Sequence, residues 1–573
     1  MQLSELAHVF QAIEATRRRS EIAALLAELF RRAPEDADLL PYLLQGRLGP
    51  PYAAPDLGID ERRIAQALAE ATGTPAEEVW RRYGELGDLG LVAERLLPAA
   101  GQPVSVRETF EQLRAIAATS GRGAYERKLA LFRDLLRRLG ALAARYVVRI
   151  AQGRLRLQVG DATILEALAA AGAGAVPRAQ LERAYALCAD LGLVARTLLT
   201  AGPAALADIH PQPGRPVLCA LAERLPSPQA VIAKLGRVLA EPKYDGLRLQ
   251  AHRAGDQVWL FSRRLEDLTH AFPDIARAVR QQVAAERVIL DGEAVGYDPH
   301  HQRFLPFQET VRRRRKHGVE AMELRFPLRY YAFDLLYVDG TDCTPLPQQE
   351  RSRRLRALVR ERPDGVVHVA PQLDTADAVA LGRFFDETVA RGLEGLVVKR
   401  PDAPYHAGAR QFNWVKLKRG YQRALADTFD LVIVGYDRGR GKRARLGIGS
   451  LLCAVYDPEQ DRFRTVSRVG SGLSDEEWGE LRERLDAVRV DARPARVESL
   501  IAPDVWVEPT YVVEVIAAEI TRSPLHTCGK VNDQPGYALR FPRVAGLRFD
   551  RRPEDATTEA EVVRLYALRA GAA

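Results

Sequence analysis

Cysteine is scarce in this chain, with five residues in 573. The five stand at positions 188, 219, 343, 453 and 528, far apart and without a CxxC pair. Zinc ribbons and disulfide frameworks use closely spaced cysteines, so the spacing argues against both and fits a reducing cytoplasm.

Long apolar runs are also missing. No uncharged apolar run reaches the ~18 residues that a membrane-spanning helix needs. The first twenty residues, MQLSELAHVFQAIEATRRRS, carry glutamates among their apolar residues, which does not fit the core of a signal peptide. We therefore expect a cytoplasmic protein with no membrane partner.

The excess of one charge is small. The chain has 83 lysines and arginines against 75 aspartates and glutamates, a formal net charge of +8. Nucleic-acid binding would therefore have to come from local basic clusters. The length predicts about three or four domains, and a hydrophobic content of 47% is enough for ordinary buried cores.

The most informative stretch is EPKYDGLR at 241–248, which places Lys243 close to an aspartate, a glycine and Arg248. A free lysine has a pKa of ~10.4 and is protonated at neutral pH. A nucleophilic lysine therefore needs desolvation or neighbouring cations. A short KxDG motif by itself is more often a surface turn, so its meaning depends on the motifs downstream of it.

Further motifs lie downstream of Lys243 in a fixed order. They are FSRR at 261–264, ILDGEAV at 289–295, YYAFDLLYVDG at 330–340, EGLVVK at 394–399 and NWVKLK at 413–418. Together they resemble the ATP-dependent DNA ligases of the archaeal and eukaryotic replicative type, within the lysine nucleotidyltransferase superfamily. The resemblance extends outside this core, to LSELAHVFQAIEATRRRSEIAALLAELF at 3–30, YLLQGRLGP at 42–50 and ARYVVRIAQGRLRLQVGDATILEAL at 144–168.

The resemblance implies an enzyme that seals nicks in double-stranded DNA. Lys243 would attack the α-phosphate of ATP and form a lysyl-AMP intermediate. AMP would then pass to the 5′-phosphate at the nick, and the 3′-hydroxyl would expel it. Mg²⁺ is the expected metal, with Mn²⁺ as an alternative.

The resemblance also implies roles for individual residues. Glu241 would bond the adenine amino group, and Phe333 would pack on the adenine ring. Arg248 and Arg263 would contact the ribose and phosphates. The adjacent Arg264 stays open as an alternative to Arg263.

The remaining site residues are charged groups for the triphosphate and the metal. The cationic donors implied for the triphosphate are Lys399, Arg410, Lys416 and Lys418, with Lys416 at the α-phosphate. Glu293 is assigned to the ribose and metal, and Glu394 to the metal, because carboxylate oxygens bind Mg²⁺ near phosphates. Asp291 is left as either a contributor or a turn cap.

Pattern changes along the chain predict three domains. Residues 1–205 have apolar positions at helical spacing, broken by proline and glycine. Residues 206–422 have short β-branched and aromatic runs with helices between them. Residues 423–573 begin with alternating strands around the basic turn RGRGKRAR at 438–445, which we interpret as a hairpin loop that contacts DNA. These patterns predict a multidomain α+β protein, and the resemblance implies that its parts are an all-helical DNA-binding domain, a mixed α/β adenylation domain and a C-terminal OB-fold β-barrel.

Two further segments carry predicted contacts. In GRLRLQVG at 153–160, glycines bracket Arg154 and Arg156 and let the backbone approach phosphates, so these arginines are the preferred DNA contacts. ALRFPRVAGLRFDRRPEDATT at 538–558 resembles the last motif of the family, which orients pyrophosphate. Arg548 and Asp550 fit that motif, whereas Arg551 stands where a lysine is usual and presents a planar fork in place of a compact ammonium.

Other functions stay open on these residues. An RNA ligase or capping enzyme shares the core chemistry but lacks the long helical N-terminal segment. A NAD-dependent ligase would carry a nicotinamide-binding segment and a four-cysteine zinc module, and neither is visible in the sequence. A catalytically inactive DNA-binding scaffold would not need the motif residues. A monomer that associates with the nucleoid is expected, in replication or repair, and no clamp-binding peptide is visible at either terminus.

Overall fold

The computed structural model describes residues 1–16, 18–157, 159–172, 176–305, 307–315, 318–418, 427–439, 446–532 and 534–570. The chain divides into two compact units, Met1–His210 and Pro211–Ala573. The predicted domain boundary after residue 422 lies within 419–426, outside the described residues. Residues 440–445 of the predicted DNA-contacting hairpin loop also lie outside them.

The first unit is built from helices. Their bounds are α1 Leu3–Ala15, α2 Arg19–Arg32, α3 Leu40–Leu44, α4 Glu61–Thr72, α5 Ala76–Leu86, α6 Leu89–Leu96, α7 Val106–Ala118, α8 Ala124–Arg138, α9 Ala141–Ala151, α10 Asp161–Ala171, α11 Arg178–Cys188 and α12 Leu191–Arg196. In α1, Leu6, Phe10 and Ile13 recur at a spacing of three and four residues and are all buried. Helix α4 starts where the Asp60 side chain accepts from a backbone amide, and it ends at Gly73 with φ +69°. The predicted helical N-terminal domain is confirmed.

The second unit mixes helices and strands. Its helices are α13 Pro228–Leu235, α14 Pro273–Gln282, α15 Phe307–Val311, α16 Val319–Arg325, α17 Gln348–Leu358, α18 Ala378–Ala390, α19 Asp475–Ala487 and α20 Glu559–Ala570. The first strands are β1 Leu221–Arg224, β2 Val238–Lys243, β3 Leu247–Ala254, β4 Gln257–Ser262, β5 Arg287–Asp298, β6 Arg303–Phe304, β7 Leu328–Val338, β8 Thr341–Asp342, β9 Val367–Val369, β10 Leu373–Thr375, β11 Gly395–Lys399 and β12 Arg410–Lys418. The later strands are β13 Asp427–Asp437, β14 Ser450–Asp457, β15 Arg462–Val469, β16 Arg489–Val490, β17 Val497–Glu498, β18 Val505–Val507, β19 Val512–Ala517, β20 Glu519–Ser523, β21 Gly536–Arg540 and β22 Arg543–Leu547.

Strands β1 to β12 form two sheets. One has the order β1-β12-β11-β2-β10, and its apolar face packs against α13 and α18. The other has the order β4-β3-β5-β7-β8, with β6 beside β5 and β9 beside β7, and packs against α14. Successive side chains of a strand point to opposite faces, so each sheet has a second face turned away from these helices.

The second face of the first sheet collects the motif residues. Val238 and Ala240 of β2 belong to the helix-covered core, which leaves Glu241 and Lys243 on the opposite face. Register adds neighbours to this face, because Val397 of β11 lies opposite Glu241. By the same alternation, Val415 and Leu417 of β12 are core residues, and Trp414, Lys416 and Lys418 share the face of Lys243.

The C-terminal part of this unit is a β domain. An eight-stranded sheet follows the order β16-β18-β13-β14-β15-β17, with β19 joining β13 to β22, and β20 pairs with β21. Its core includes Ile433, Leu451, Val466 and Val513. Among the described residues, no helix has both the length and the apolar character needed to cross a bilayer.

Candidate active site

The two sheets of residues 221–418 and the end of the C-terminal β domain border a cavity of about 130 Å³. Lys243, at the end of β2, lies at this cavity with 17% of its side chain exposed. Its Nζ is 2.6 Å from Oε2 of Glu394, and Nζ of Lys418 is 3.1 Å from the same oxygen. Two ammonium groups therefore share one carboxylate.

The pKa of Lys243 lies below its ordinary value. Burial has the largest effect, and the positive charges of Lys418 and Arg551 act in the same direction, while Glu394 opposes them. Burial alone would raise the pKa of Glu394, but Lys243, Lys418 and Arg548 outweigh it and hold that pKa well below the usual range. Lys243 is therefore poised to lose its proton and act as a nucleophile beside a carboxylate that is ionised at neutral pH.

An aromatic pocket lies next to Lys243. The rings of Phe333 and Trp414 meet edge to face with centroids 6.0 Å apart. Nζ of Lys399 lies 4.3 Å from the Trp414 ring centroid and 2.8 Å from Oε2 of Glu241. Lys399 is only 1% exposed, so this pair forms a buried donor and acceptor beside two aromatic rings. Such a pocket suits a flat base with polar groups on one edge.

Arg248 is anchored below these rings. It makes a bidentate pair with Asp291, with Nη2 2.6 Å and Nε 3.1 Å from the two carboxylate oxygens. The hydroxyl of Tyr405 donates to the same aspartate at 2.8 Å. Asp291 is fully buried, so it holds Arg248 in place and neither caps a turn nor reaches the cavity.

The other predicted cations meet a carboxylate from the C-terminal helix. Arg410 Nη1 lies 2.6 Å from Glu561 of α20, and Lys416 Nζ lies 3.5 Å from it. Burial lowers the pKa of Lys416 well below its ordinary value, and Arg410 adds to this effect, although Glu561 opposes it. The carboxylate of Glu561 thus already pairs with the two cations that were predicted to bind phosphate.

Two more carboxylates, Glu293 and Asp245, lie within the electrostatic reach of Lys243. Burial raises the pKa of Glu293, on β5, to about 7, against the opposing charges of Lys243 and Arg248. Burial together with the charge of Glu394 raises the pKa of Asp245 to about 6. Within the described ranges, no group of three or more His, Cys, Asp or Glu side chains is placed to hold a metal ion.

The end of the C-terminal β domain closes one side of the cavity. Arg548 makes a bidentate pair with Asp550, with distances of 3.0 and 3.1 Å, and Nη1 lies 3.7 Å from Asp245. Arg551 pairs with Asp430, and burial lowers its pKa to about 10, with Arg263 contributing. The three residues of the predicted last motif thus line the same cavity as Lys243.

Known proteins resemble the chain along its whole length. Residues 219–418 match the family model described as ATP dependent DNA ligase domain, residues 2–169 match DNA ligase N terminus, and residues 444–551 match ATP dependent DNA ligase C terminal region. The "Probable DNA ligase" of Dictyoglomus thermophilum is 45% identical over 569 residues, which cover 99% of this chain and 97% of that protein. The chain belongs to the ATP-dependent DNA ligase family. It is therefore a ligase, and neither an RNA ligase nor a capping enzyme is favoured.

Two further known proteins are similar to the chain. The "DNA ligase" of Pyrobaculum calidifontis is 44% identical over 582 residues, which cover 99% of this chain and 98% of that protein. The solved "mycobacterial DNA ligase D complexed with ATP and MES" is 27% identical and covers 59% of this chain and 97% of that chain, with a TM-score of 0.36. Because that TM-score is too low to support an argument, membership in the family rests on the full-length sequence relatives.

Two predicted residues of this ligase lie in the N-terminal unit. Arg154 is 39% exposed and lies 3.0 Å from Glu61. Arg156 has a φ of +63° and lies 3.2 Å from the buried Asp88. Each arginine is already paired with a carboxylate of its own unit.

Sequence reasoning missed several residues of the site. Trp414 was recoverable, because it precedes Lys416 and Lys418 by two and four positions on one strand and must share their face. Glu561 and Gln372, which donates to Glu241 at 2.8 Å, lie in segments without a recognisable motif. No local pattern points to them, since their partners are distant in sequence.

Proposed function

We propose that this ligase seals nicks in double-stranded DNA through three displacements at phosphorus. In the first, neutral Nζ of Lys243 attacks the α-phosphorus of ATP. An N–P bond forms, the P–O bond to pyrophosphate breaks, and Nζ loses a proton. AMP then passes to the 5′-phosphate at the nick, which frees Lys243. Finally, the 3′-hydroxyl attacks that phosphorus, AMP leaves and the strand is joined.

The setting of Lys243 is the observation that carries the proposal. Its burial and the cations around it lower the cost of releasing a proton, while the ion pair with Glu394 fixes the direction of Nζ. A surface lysine would have neither property. Covalent storage of AMP on this side chain keeps the phosphate activated until a nick is bound.

The aromatic pocket supports adenine as the base. Glu241 offers a carboxylate acceptor to the amino group of adenine, and Phe333 offers a ring to its face. Lys399, which the sequence assigned to the triphosphate, lies 2.8 Å from Glu241, so we assign it to the edge of the base.

Phosphate binding falls to the remaining cations. Lys416, Lys418 and Arg410 border the cavity, and we propose that ATP phosphates replace the carboxylate of Glu561 on Arg410 and Lys416. Arg248 and Arg263 complete this set from the side of the second sheet, with Arg263 paired to Asp555 at 2.9 Å.

Mg²⁺, or Mn²⁺ in its place, fits Glu293 and Glu394. A hard divalent ion of this kind is commonly bound by one or two carboxylates together with substrate phosphates, which agrees with two carboxylates beside the predicted phosphate site. When bound, the ion would neutralise phosphate charge. The chain itself aligns Lys243 with the α-phosphorus and excludes water through Phe333 and Trp414.

The domain assignment extends this proposal. We assign residues 1–205 to DNA binding, 206–422 to adenylation and 423–573 to an OB-fold β-barrel whose residues Arg548, Asp550 and Arg551 orient pyrophosphate. Arg154 and Arg156 would exchange their carboxylate partners for DNA phosphates. We further propose a monomer that acts on chromosomal DNA in the cytoplasm.

The proposal is tested with α-labelled ATP and Mg²⁺. Wild type should become covalently labelled, and a chase with nicked duplex should release AMP and give a sealed strand. Lys243→Ala should remain unlabelled, whereas Lys234→Ala, which removes an exposed lysine on α13, should behave as wild type. Label on Lys243→Ala, or no label on wild type with ATP, would refute the mechanism. Label that discharges only on RNA ends would move the substrate to RNA.

A further inference from the structure

Gln372 holds the carboxylate that faces the base. It precedes β10, and its amide nitrogen donates to Oε1 of Glu241 at 2.8 Å. Its amide oxygen accepts from Nη2 of Arg356 at 2.9 Å. A guanidinium can only donate, so the amide oxygen must face Arg356 and the nitrogen must face Glu241.

Behind Gln372 runs a chain of hydrogen bonds into the core. The same amide nitrogen lies 3.3 Å from Oγ of Ser352, which accepts from Gln348 at 3.2 Å. The oxygen of Gln348 accepts from Arg351 at 2.6 Å, and Arg351 makes a bidentate pair with Asp334. Gln348, Arg351 and Asp334 are fully buried. Such a satisfied buried network is rigid, so Gln372 has little freedom to move.

The network leaves Glu241 with a defined role. One oxygen accepts from Gln372, and the other lies 2.8 Å from the ammonium group of Lys399. The base therefore meets an acceptor, Glu241, beside a donor, Lys399. Adenine presents an amino donor beside the N1 acceptor and matches this order, whereas guanine and hypoxanthine present a carbonyl acceptor beside an N1–H donor and oppose it.

We propose that Gln372 is a positioning residue that sets the selection of adenine over 6-oxopurine nucleotides by holding Glu241 as an acceptor. The inference rests on the proposed function, in which ATP occupies this pocket. Gln372 does not have to touch the nucleotide, because it acts through the carboxylate it orients.

The test compares covalent labelling by ATP and by inosine triphosphate (ITP). In Gln372→Met, which keeps the side-chain volume but removes the donor, the KM for ATP should rise about tenfold with kcat changed by less than about threefold. The preference for ATP over ITP should fall by a similar factor. Gln282→Met is the matched control, because among the described residues the Gln282 side chain bonds backbone groups alone, including the oxygens of Val367 and Arg360 at 3.0 and 3.2 Å. It should lower stability and leave the preference unchanged.

A second variant adds a pH readout. Gln372→Glu keeps the shape but places a carboxylate against Glu241. Two adjacent carboxylates retain a shared proton to a higher pH than one alone, although Arg356 and Lys399 oppose this effect. The defect in KM should therefore be larger at pH 8 than at pH 6, where the shared proton restores a hydrogen bond. A purely structural residue would show no such recovery. Folded Gln372→Met and Gln372→Glu with the wild-type ATP preference would overturn the inference. A wild type that takes no label from ATP would instead overturn the proposed function, and this inference with it.

Discussion

Glu293 should make the metal requirement of this ligase depend on pH. An ordinary glutamate has a pKa of 4.5, and burial raises that of Glu293 to about 7. Below pH 7 the Glu293 side chain is therefore mostly a neutral acid, and above pH 7 it is mostly a carboxylate. A divalent ion binds the carboxylate.

The magnitude comes from the ionised fraction. With a pKa of about 7, Glu293 is about one-tenth ionised at pH 6 and about nine-tenths ionised at pH 8. The apparent affinity for Mg²⁺ should therefore rise about tenfold between these values. Glu394 does not contribute to this pH dependence of the Mg²⁺ affinity. Lys243, Lys418 and Arg548 hold its pKa well below the range from pH 6 to pH 8 despite burial.

The assay measures the Mg²⁺ concentration for half-maximal self-adenylylation at pH 6, 7 and 8. Lys243, which pairs with Glu394, and Asp245 are present in all three proteins, so their ionisation does not distinguish Glu293→Gln from the wild type. Glu293→Gln should lose the tenfold dependence. Glu286→Gln, an exposed glutamate next to the same strand, should keep it. The titration of ATP itself is common to all three proteins. Equal slopes for wild type and Glu293→Gln would refute the assignment of Glu293 to the metal.

Single contacts of the site give three further predictions. Phe333→Ala should weaken ATP binding about tenfold, since stacking on an aromatic ring contributes ~1–3 kcal/mol per base, and equilibrium titration with ATP would contradict this if affinity were unchanged. Asp291→Ala should lower the free energy of unfolding by about 3–5 kcal/mol, because Arg248 would remain partly buried without its partner, and a wild-type urea midpoint would exclude that role. Glu561→Ala should tighten ATP binding about fivefold by freeing Arg410 from a competing anion, and weaker binding would show that Glu561 instead helps to form the site.

Local sequence patterns predicted much of the fold and part of the site. The apolar spacing in α1 predicted a helix, because one face of a 3.6-residue period must be buried. The ordered motifs predicted the family, and they fall on strands where period-two alternation assigns Glu241 and Lys243 to one face. The alternation of NWVKLK could also have predicted Trp414.

Tertiary structure decided which charges are paired. The partner of Arg410 is Glu561, 151 residues away on α20, and the partner of Arg248 is Asp291, 43 residues away on a neighbouring strand. Lys399, predicted to bind phosphate, lies instead against Glu241. The sequence by itself determined which residues share a strand face, because alternation is a local property of the backbone. Which carboxylate meets which cation, and which of them is desolvated enough to change its pKa, depends on how distant strands and helices pack, and only the folded chain decides that.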